Sequence, residues 1–220
     1  MPTTIRTRTR TRTRRGRRRH RPGSAVKPHR AFDPRRVGGL ETTAWVTYYR
    51  REWLPFLRSA VGLTRHTFGL SWPSTLHGAW LVLRANQLWA PYPDNDPDGA
   101  RRAMERFYRL VADRYGETFD ARRASELEVE WWRVHRAHQH DGSGGADEGP
   151  LIAALCALYS YVYGVPETQV AVAAEQRALA MRYSDQWVRE GCDLSSPLIE
   201  EERAALVRSY AGLLAAVHRV

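Results

Sequence analysis

Residues 126–138 constrain the fold more than any other stretch, because their apolar side chains recur at the spacing of an α-helix. One face of this stretch and its flanks carries Ala124, Leu127, Trp131, Val134 and His138. These residues follow one another at intervals of three or four, which places them on one side of a helix. Glu128, Trp132 and His135 form an adjoining face. We expect this helix to be central, with the other helices packed around it.

The same periodicity continues along most of the chain. It predicts helices over about residues 40–68, 71–90, 94–115, 118–141, 150–163, 167–190 and 197–217. Pro55 predicts a kink or a break near Arg51 in the first of them. Apolar and polar residues do not alternate in the manner of strands. The expected fold is all-α, a single bundle of about seven helices.

The N-terminal segment differs sharply from the rest in charge. Residues 1–36 hold fourteen Arg and Lys against one acid, Asp33, for a net charge of +13. Subtracting this from the total of +10 leaves residues 37–220 at −3. So basic a segment with few apolar residues predicts a disordered tail over residues 1–37 and a helical bundle domain over residues 38–220. A chain that starts at Val37 is then expected to melt within about one or two degrees of the full chain.

Three interpretations of this tail remain open. It could be an arm that binds nucleic acid or another polyanion without sequence specificity. It could be a solvated tail with no task, or the start codon could lie further downstream than assigned.

The cysteine content predicts a reducing cytoplasm as the location of the chain, and the hydropathy predicts no membrane span. Cys156 and Cys192 cannot make a disulfide framework. No run of 18 apolar residues is present, so no membrane span is expected. The basic N-terminus is not followed by the apolar segment of a secretory signal.

Residues 94–105 match a short calcium-loop pattern, D-x-D-x-D-G-x5-E. A helix start explains the same residues more simply. Asp96 would cap the helix, Pro97 would take the first helical position, and Asp98 would face the positive end of the helix dipole. We therefore expect a helix start here and no metal site.

A candidate pocket lies where the central helix faces the aromatic part of the first helix. Its predicted residues are Glu128, Trp132, His135, His138, Tyr49 and Trp53. A buried carboxylate beside a histidine suits acid–base chemistry, but a structural salt bridge fits the same residues. No Glu-x-x-His pair of a di-iron bundle is present. Tryptophans at helical spacing, such as Trp80, are more often core residues than pocket residues.

Three segments carry a resemblance to other proteins. They are 44–51 (AWVTYYRR), 128–133 (EVEWWR) and 208–214 (RSYAGLL). With these segments the chain resembles a loose group of uncharacterised all-helical proteins from high-GC bacteria. The resemblance covers about residues 38–218 and implies a helical fold, with no known activity.

The sequence as a whole favours a non-enzymatic helical module that binds a protein or a small ligand. One alternative is an enzyme with a carboxylate/histidine site on the central helix. Another is a nucleic-acid-associated protein that acts through non-specific polyanion binding by its basic arm. No cofactor is specified by any motif.

Overall fold

The computed structural model of the protein describes residues 26–140 and 147–219. In these residues it contains a one-turn 3₁₀ helix (Pro28–Arg30), eight α-helices and no strand. The α-helices are α1 Pro34–Tyr49, α2 Trp53–Phe68, α3 Trp72–Trp89, α4 Pro97–Tyr115, α5 Ala121–His140, α6 Gly149–Tyr163, α7 Glu167–Arg189 and α8 Leu198–Val217. The predicted all-α fold is confirmed, with one helix more than the seven expected. The disorder predicted for residues 1–25 and the connector at 141–146 lie outside the described residues.

The additional helix arises from a break between α1 and α2. Arg51 has a φ of 61°, in the left-handed region, which no α-helix can continue through. The Glu52 amide donates to the Thr47 carbonyl at 2.8 Å across this break. Pro55 lies in the first turn of α2, where its missing N–H leaves no hydrogen bond unmade. The interruption predicted near Arg51 is therefore a break and not a kink.

The main hydrophobic core lies between α3, α4, α5, α6 and α7, with residues of α8 closing one side. Trp131 and Trp132 of α5 are both buried in it, and their rings meet edge to face at a centroid distance of 6.1 Å. The prediction that Trp131 is a core residue is confirmed. Trp187 is more deeply buried, and its indole N–H donates to the Asp193 carbonyl at 2.7 Å.

Helix α3 packs with its small residues inward, which corrects the prediction for Trp80. The buried positions of α3 are Thr75, Gly78, Ala79, Leu81 and Ala85. A Cβ at Gly78 would lie 3.3 Å from the Phe107 ring and 3.4 Å from the Thr64 methyl, so α2 and α4 approach α3 closely. Trp72, Leu76 and Trp80 lie on the opposite side, exposed to solvent.

The folded part of the chain begins before the boundary predicted between residues 37 and 38. The 3₁₀ helix is followed by α1, which starts at Pro34 behind an Asp33 cap. His29, Phe32 and Val37 are all buried. The predicted boundary is therefore wrong by about ten residues, because a few apolar residues among the charges of this segment suffice to anchor it.

The start of α4 confirms the predicted cap. Asp96 Oδ1 accepts a hydrogen bond from the Gly99 amide at 2.7 Å, and Pro97 occupies the first helical position. Asp98 lies in the first turn and pairs with Arg101.

Among the described residues, no helix combines the length and the apolar composition needed to cross a membrane.

Candidate functional site

The structure brings together two of the six residues predicted for the pocket. Tyr49, near the end of α1, and His135 of α5 line a small cavity that α7 and α8 complete. Its further lining residues include Trp45, Arg177, Ser184, Asp185 and Glu202. The cavity has a volume of about 20 Å³, which is the room that one water molecule needs.

The carboxylate at position 128 lies apart from this cavity. Glu128 accepts a hydrogen bond from the Tyr108 hydroxyl at 2.6 Å and another from the Trp132 indole N–H at 3.2 Å. Burial raises the pKa of Glu128, and the hydrogen bond from Tyr108 opposes that shift. Trp132 packs against Trp89 of α3, at a ring-centroid distance of 5.9 Å. Glu128 therefore joins α5 to α4, whereas it was expected to face the first helix.

The histidines of α5 behave differently from each other. His135 Nε2 lies 3.0 Å from Asp185 Oδ2, and both side chains are largely buried. Gln139 donates to the other oxygen of Asp185 at 2.7 Å, so this carboxylate fixes α5 to α7. His138 does not line the cavity.

Trp53, the last of the predicted pocket residues, lies outside the cavity with 55% of its surface exposed. Its ring packs on Tyr48 and Phe56 beside the break between α1 and α2.

A buried ion pair that the sequence did not indicate lies against the cavity. The two terminal nitrogens of the Arg177 guanidinium, Nη1 and Nη2, lie 2.7 and 2.5 Å from the two oxygens of the Glu41 carboxylate. The Tyr210 hydroxyl donates to the same carboxylate. Two opposed charges so enclosed need each other, since removal of one would leave the other buried and unpaired.

Glu202 is the one cavity carboxylate without such a partner. It is 2% exposed and forms no hydrogen bond or ion pair with another side chain in residues 26–140 and 147–219. Burial, reinforced by the nearby charge of Glu41, raises the pKa of Glu202 to about 8. Glu202 is therefore protonated at neutral pH, and the cavity beside it has room for one water molecule.

No group of three or more His, Cys, Asp and Glu side chains that could hold a metal ion occurs in the described part of the chain.

The sequence did not lead us to predict three of these buried groups, Glu41, Arg177 and Glu202, because charged side chains are usually exposed to solvent. A signal was present: Glu202, Ala205 and Ser209 step by three and four along the buried face of α8. Glu41 likewise lies between Val37 and Ala44 on the buried face of α1. A charge at an apolar position of a helical repeat predicts a buried charge, and the partner must come from another helix.

A wider concavity, about 670 Å³, lies between the first halves of α4 and α5. Its walls are charged side chains of both signs, and these pair with their own helical neighbours, as Asp98 does with Arg101 and Glu126 with Arg123. Such pairs belong to a solvated helix flank. This cleft is therefore the least distinctive of the features described.

The most unusual surface is on the helical hairpin formed by α2 and α3. Both helices turn large apolar side chains to solvent, each 43–60% exposed. We call these the hairpin face: Trp53, Leu54 and Leu57 of α2 with Trp72, Leu76 and Trp80 of α3. The helices are joined by the short turn at residues 69–71, and Gly78 of α3 lies against Thr64 of α2.

The two helices that carry the hairpin face contain charges of one sign only, and the nearest acid in sequence, Glu52, precedes Trp53 and pairs with Arg50. Residues 53–93 contain three arginines and no aspartate or glutamate. The Arg65 guanidinium lies 4.8 Å from the centre of the Trp72 ring, and that of Arg106 lies 6.0 Å from the centre of the Trp80 ring. Each exposed tryptophan of α3 thus has a cation beside it.

Comparison with protein families, with curated proteins and with solved structures finds no match to this chain.

Proposed function

We propose that this protein is a non-enzymatic helical interaction module that binds its partner through the hairpin face. The observation that supports the proposal is the exposure of six large apolar side chains on one helical hairpin. Burying apolar surface is favourable by about 25 cal/mol per Å². Scattered single residues need no explanation, but a concentration of exposed apolar surface is typical of interaction sites.

The cavity beside Glu202 supports the ligand-binding and enzymatic alternatives less well. Pockets for small molecules measure about 300–1,000 Å³. The cavity here has a volume of about 20 Å³. His135 and Glu128, the proposed acid–base pair, have different partners on different helices.

We propose a cytoplasmic location for the module, which its two free thiols support. The resemblance to helical proteins of high-GC bacteria stays a prediction.

Cysteine labelling in living cells tests whether a partner covers the hairpin face. In a Cys192→Ser background, a single accessible cysteine is introduced by Leu76→Cys. A matched control carries Glu201→Cys, at an exposed position of α8. We expect a permeable maleimide to label the Leu76→Cys variant several-fold more slowly in the native host than in the purified protein. The control should react equally fast in both.

Equal labelling of the two positions, in cells and after purification, would contradict the proposal, because an occupied surface must be protected. The remaining native thiol, Cys156, is buried in the core and serves as an internal measure of unfolding.

A further inference from the structure

We infer that the partner of the hairpin face is the surface of an anionic phospholipid membrane. The tryptophans and leucines would lie at the level of the headgroups, and arginines around them would bind the lipid phosphates. This inference rests on the proposed function and names the partner for it.

The residue types of the hairpin face suit an interface between water and hydrocarbon. Half of its six residues are tryptophans, which favour that boundary because the ring is apolar and its N–H is polar. The hairpin would lie on the membrane surface with its exposed apolar side toward the lipid.

The charges point to an anionic partner. In the described residues, none of the three arginines of the hairpin, Arg58, Arg65 and Arg84, forms an ion pair with a carboxylate. Arg65 and Arg106 hold their guanidinium groups beside Trp72 and Trp80. A phosphate bound there would lie next to an indole ring, which is the arrangement that a phospholipid headgroup offers. A second copy of this chain would bring arginines against arginines.

The basic N-terminal segment joins the fold beside the hairpin face. Pro28 packs against Gly69, where an added Cβ would lie 2.4 Å from the proline Cβ. Gly69 ends α2, and Trp72 follows three residues later. Residues 1–25, which precede this contact, contain ten arginines and no acid. The described part of the chain thus begins beside the turn of the hairpin, and ten arginines precede it in the sequence.

These two features are complementary on a membrane. Stable peripheral binding takes two signals, such as an apolar insertion and a polybasic segment. Nucleic acid would engage the arginines equally well, and the bases of a single strand could stack on the tryptophans, but neither a duplex nor a single strand offers the three leucines an apolar surface to bury against. The combination therefore favours an anionic membrane over a nucleic acid.

Vesicle binding of the full-length protein tests the inference. The probes are vesicles of phosphatidylglycerol mixed with phosphatidylcholine and vesicles of phosphatidylcholine alone. Three full-length variants are compared with the wild type: Trp72→Ala/Trp80→Ala; a matched pair of exposed apolar residues on other surfaces, Val172→Ala/Leu194→Ala; and a chain in which the ten arginines of residues 1–25 are replaced by glutamine. Binding is measured by cosedimentation, and tryptophan depth by quenching with brominated lipid.

We expect binding to the anionic vesicles alone. The tryptophan pair should weaken it roughly tenfold or more, through the loss of buried apolar surface. The control pair should change it little. The variant with glutamine at the ten arginine positions of residues 1–25 should bind more weakly and with a smaller salt dependence, because the arginines of the hairpin remain. Brominated lipid should quench the wild type more than the Trp72→Ala/Trp80→Ala variant.

Two results would overturn the inference. The first is no binding to anionic vesicles at low salt. The second is binding that the Trp72→Ala/Trp80→Ala variant retains in full, which would mean that the arginines act alone as a polyanion arm, for nucleic acid as much as for lipid. If Leu76→Cys is nevertheless protected in cells, the interaction module stands and its partner is another macromolecule. If that position is unprotected, the proposed function fails as well.

Discussion

At the scale of single residues, the charge of Glu202 makes the stability of the fold depend on pH. Its pKa is raised from 4.5 to about 8 by burial and by Glu41. Below about pH 4.5 the residue is protonated both folded and unfolded, so it imposes no penalty. As the pH rises toward 8, the unfolded chain ionises the group freely while the native state holds its proton or buries the charge. The stability contributed by the protonated form is therefore lost with rising pH up to about 8.

Glu202→Gln should remove this pH dependence. One pKa unit corresponds to about 1.4 kcal/mol, and partial solvation reduces the full effect. We expect the free energy of unfolding of the variant to exceed that of the wild type by about 1–3 kcal/mol at pH 9 and to equal it at pH 5. Urea titrations at the two pH values measure the difference.

Glu201→Gln, one residue away on the exposed side of α8, is the control and should show no such trend. A Glu202→Gln variant that is destabilised equally at both pH values would mean that the ionised carboxylate is satisfied in the native state.

At the scale of helices, the break between α1 and α2 depends on one residue in an unfavourable conformation. Arg51 adopts a left-handed φ of 61°, which costs a residue with a Cβ about 1–2 kcal/mol. Arg51→Gly should therefore stabilise the protein by about 0.5–1 kcal/mol, since part of the gain is offset by the greater freedom of glycine in the unfolded chain. Thermal unfolding measures the change.

Arg58→Gly is the matched control, because Arg58 is exposed in the regular part of α2. Glycine there should destabilise by about 1 kcal/mol. Two changes of the same sign would show that the conformation of Arg51 carries no strain.

The spacing of apolar residues predicted where most helices lie but could not give their orientation. In α5 the large apolar side chains are the buried ones, and Trp131 lies in the core as expected. For α3, the same rule pointed the wrong way, because close packing against α2 and α4 needs Gly78 and Ala79. Trp72 and Trp80 were left outside. The absence of acids from residues 53–93 was visible in the sequence and marked this hairpin as different.

The predicted site was recovered only in part, for a related reason. Helical spacing brought Glu128 and His135 to neighbouring faces of α5, but which helix meets each face is decided by tertiary packing. Tyr108 of α4 forms a hydrogen bond with Glu128, and Asp185 of α7 forms one with His135. Contacts between residues distant in sequence leave no periodic signal within one helix.

At the scale of the whole molecule, residues 27–32 connect the N-terminal part of the chain to the C-terminal helix α8 and to Glu117, which follows α4. Phe32 meets Tyr210 of α8 edge to face, at a centroid distance of 5.5 Å. Lys27 and Arg30 donate to the Glu117 carboxylate at 2.7 and 3.3 Å. Burial alone would raise the pKa of Glu117, but these hydrogen bonds outweigh burial and lower it. Glu117 therefore stabilises the fold above its unfolded pKa, and the effect is lost as the pH falls through the lowered value.

Deletion of residues 1–36 should accordingly cost stability, contrary to the expectation from the sequence. The deletion removes the buried side chains of His29 and Phe32 and leaves Glu117 without its two cations. Loss of a buried phenylalanine alone costs about 3–5 kcal/mol. For a chain of this size, 1 kcal/mol shifts the melting temperature by about 2–4 °C, so we expect a fall of roughly 6–20 °C at pH 7. Calorimetry of the full chain, of the 1–36 deletion and of a 1–25 deletion separates the contributions.

The shorter deletion keeps every contact of residues 27–32 and should melt near the full chain, while Phe32→Ala should reproduce much of the larger loss. If the 1–36 deletion melts with the full chain, the packing of these residues on α4 and α8 contributes nothing, and the folded domain begins at α1.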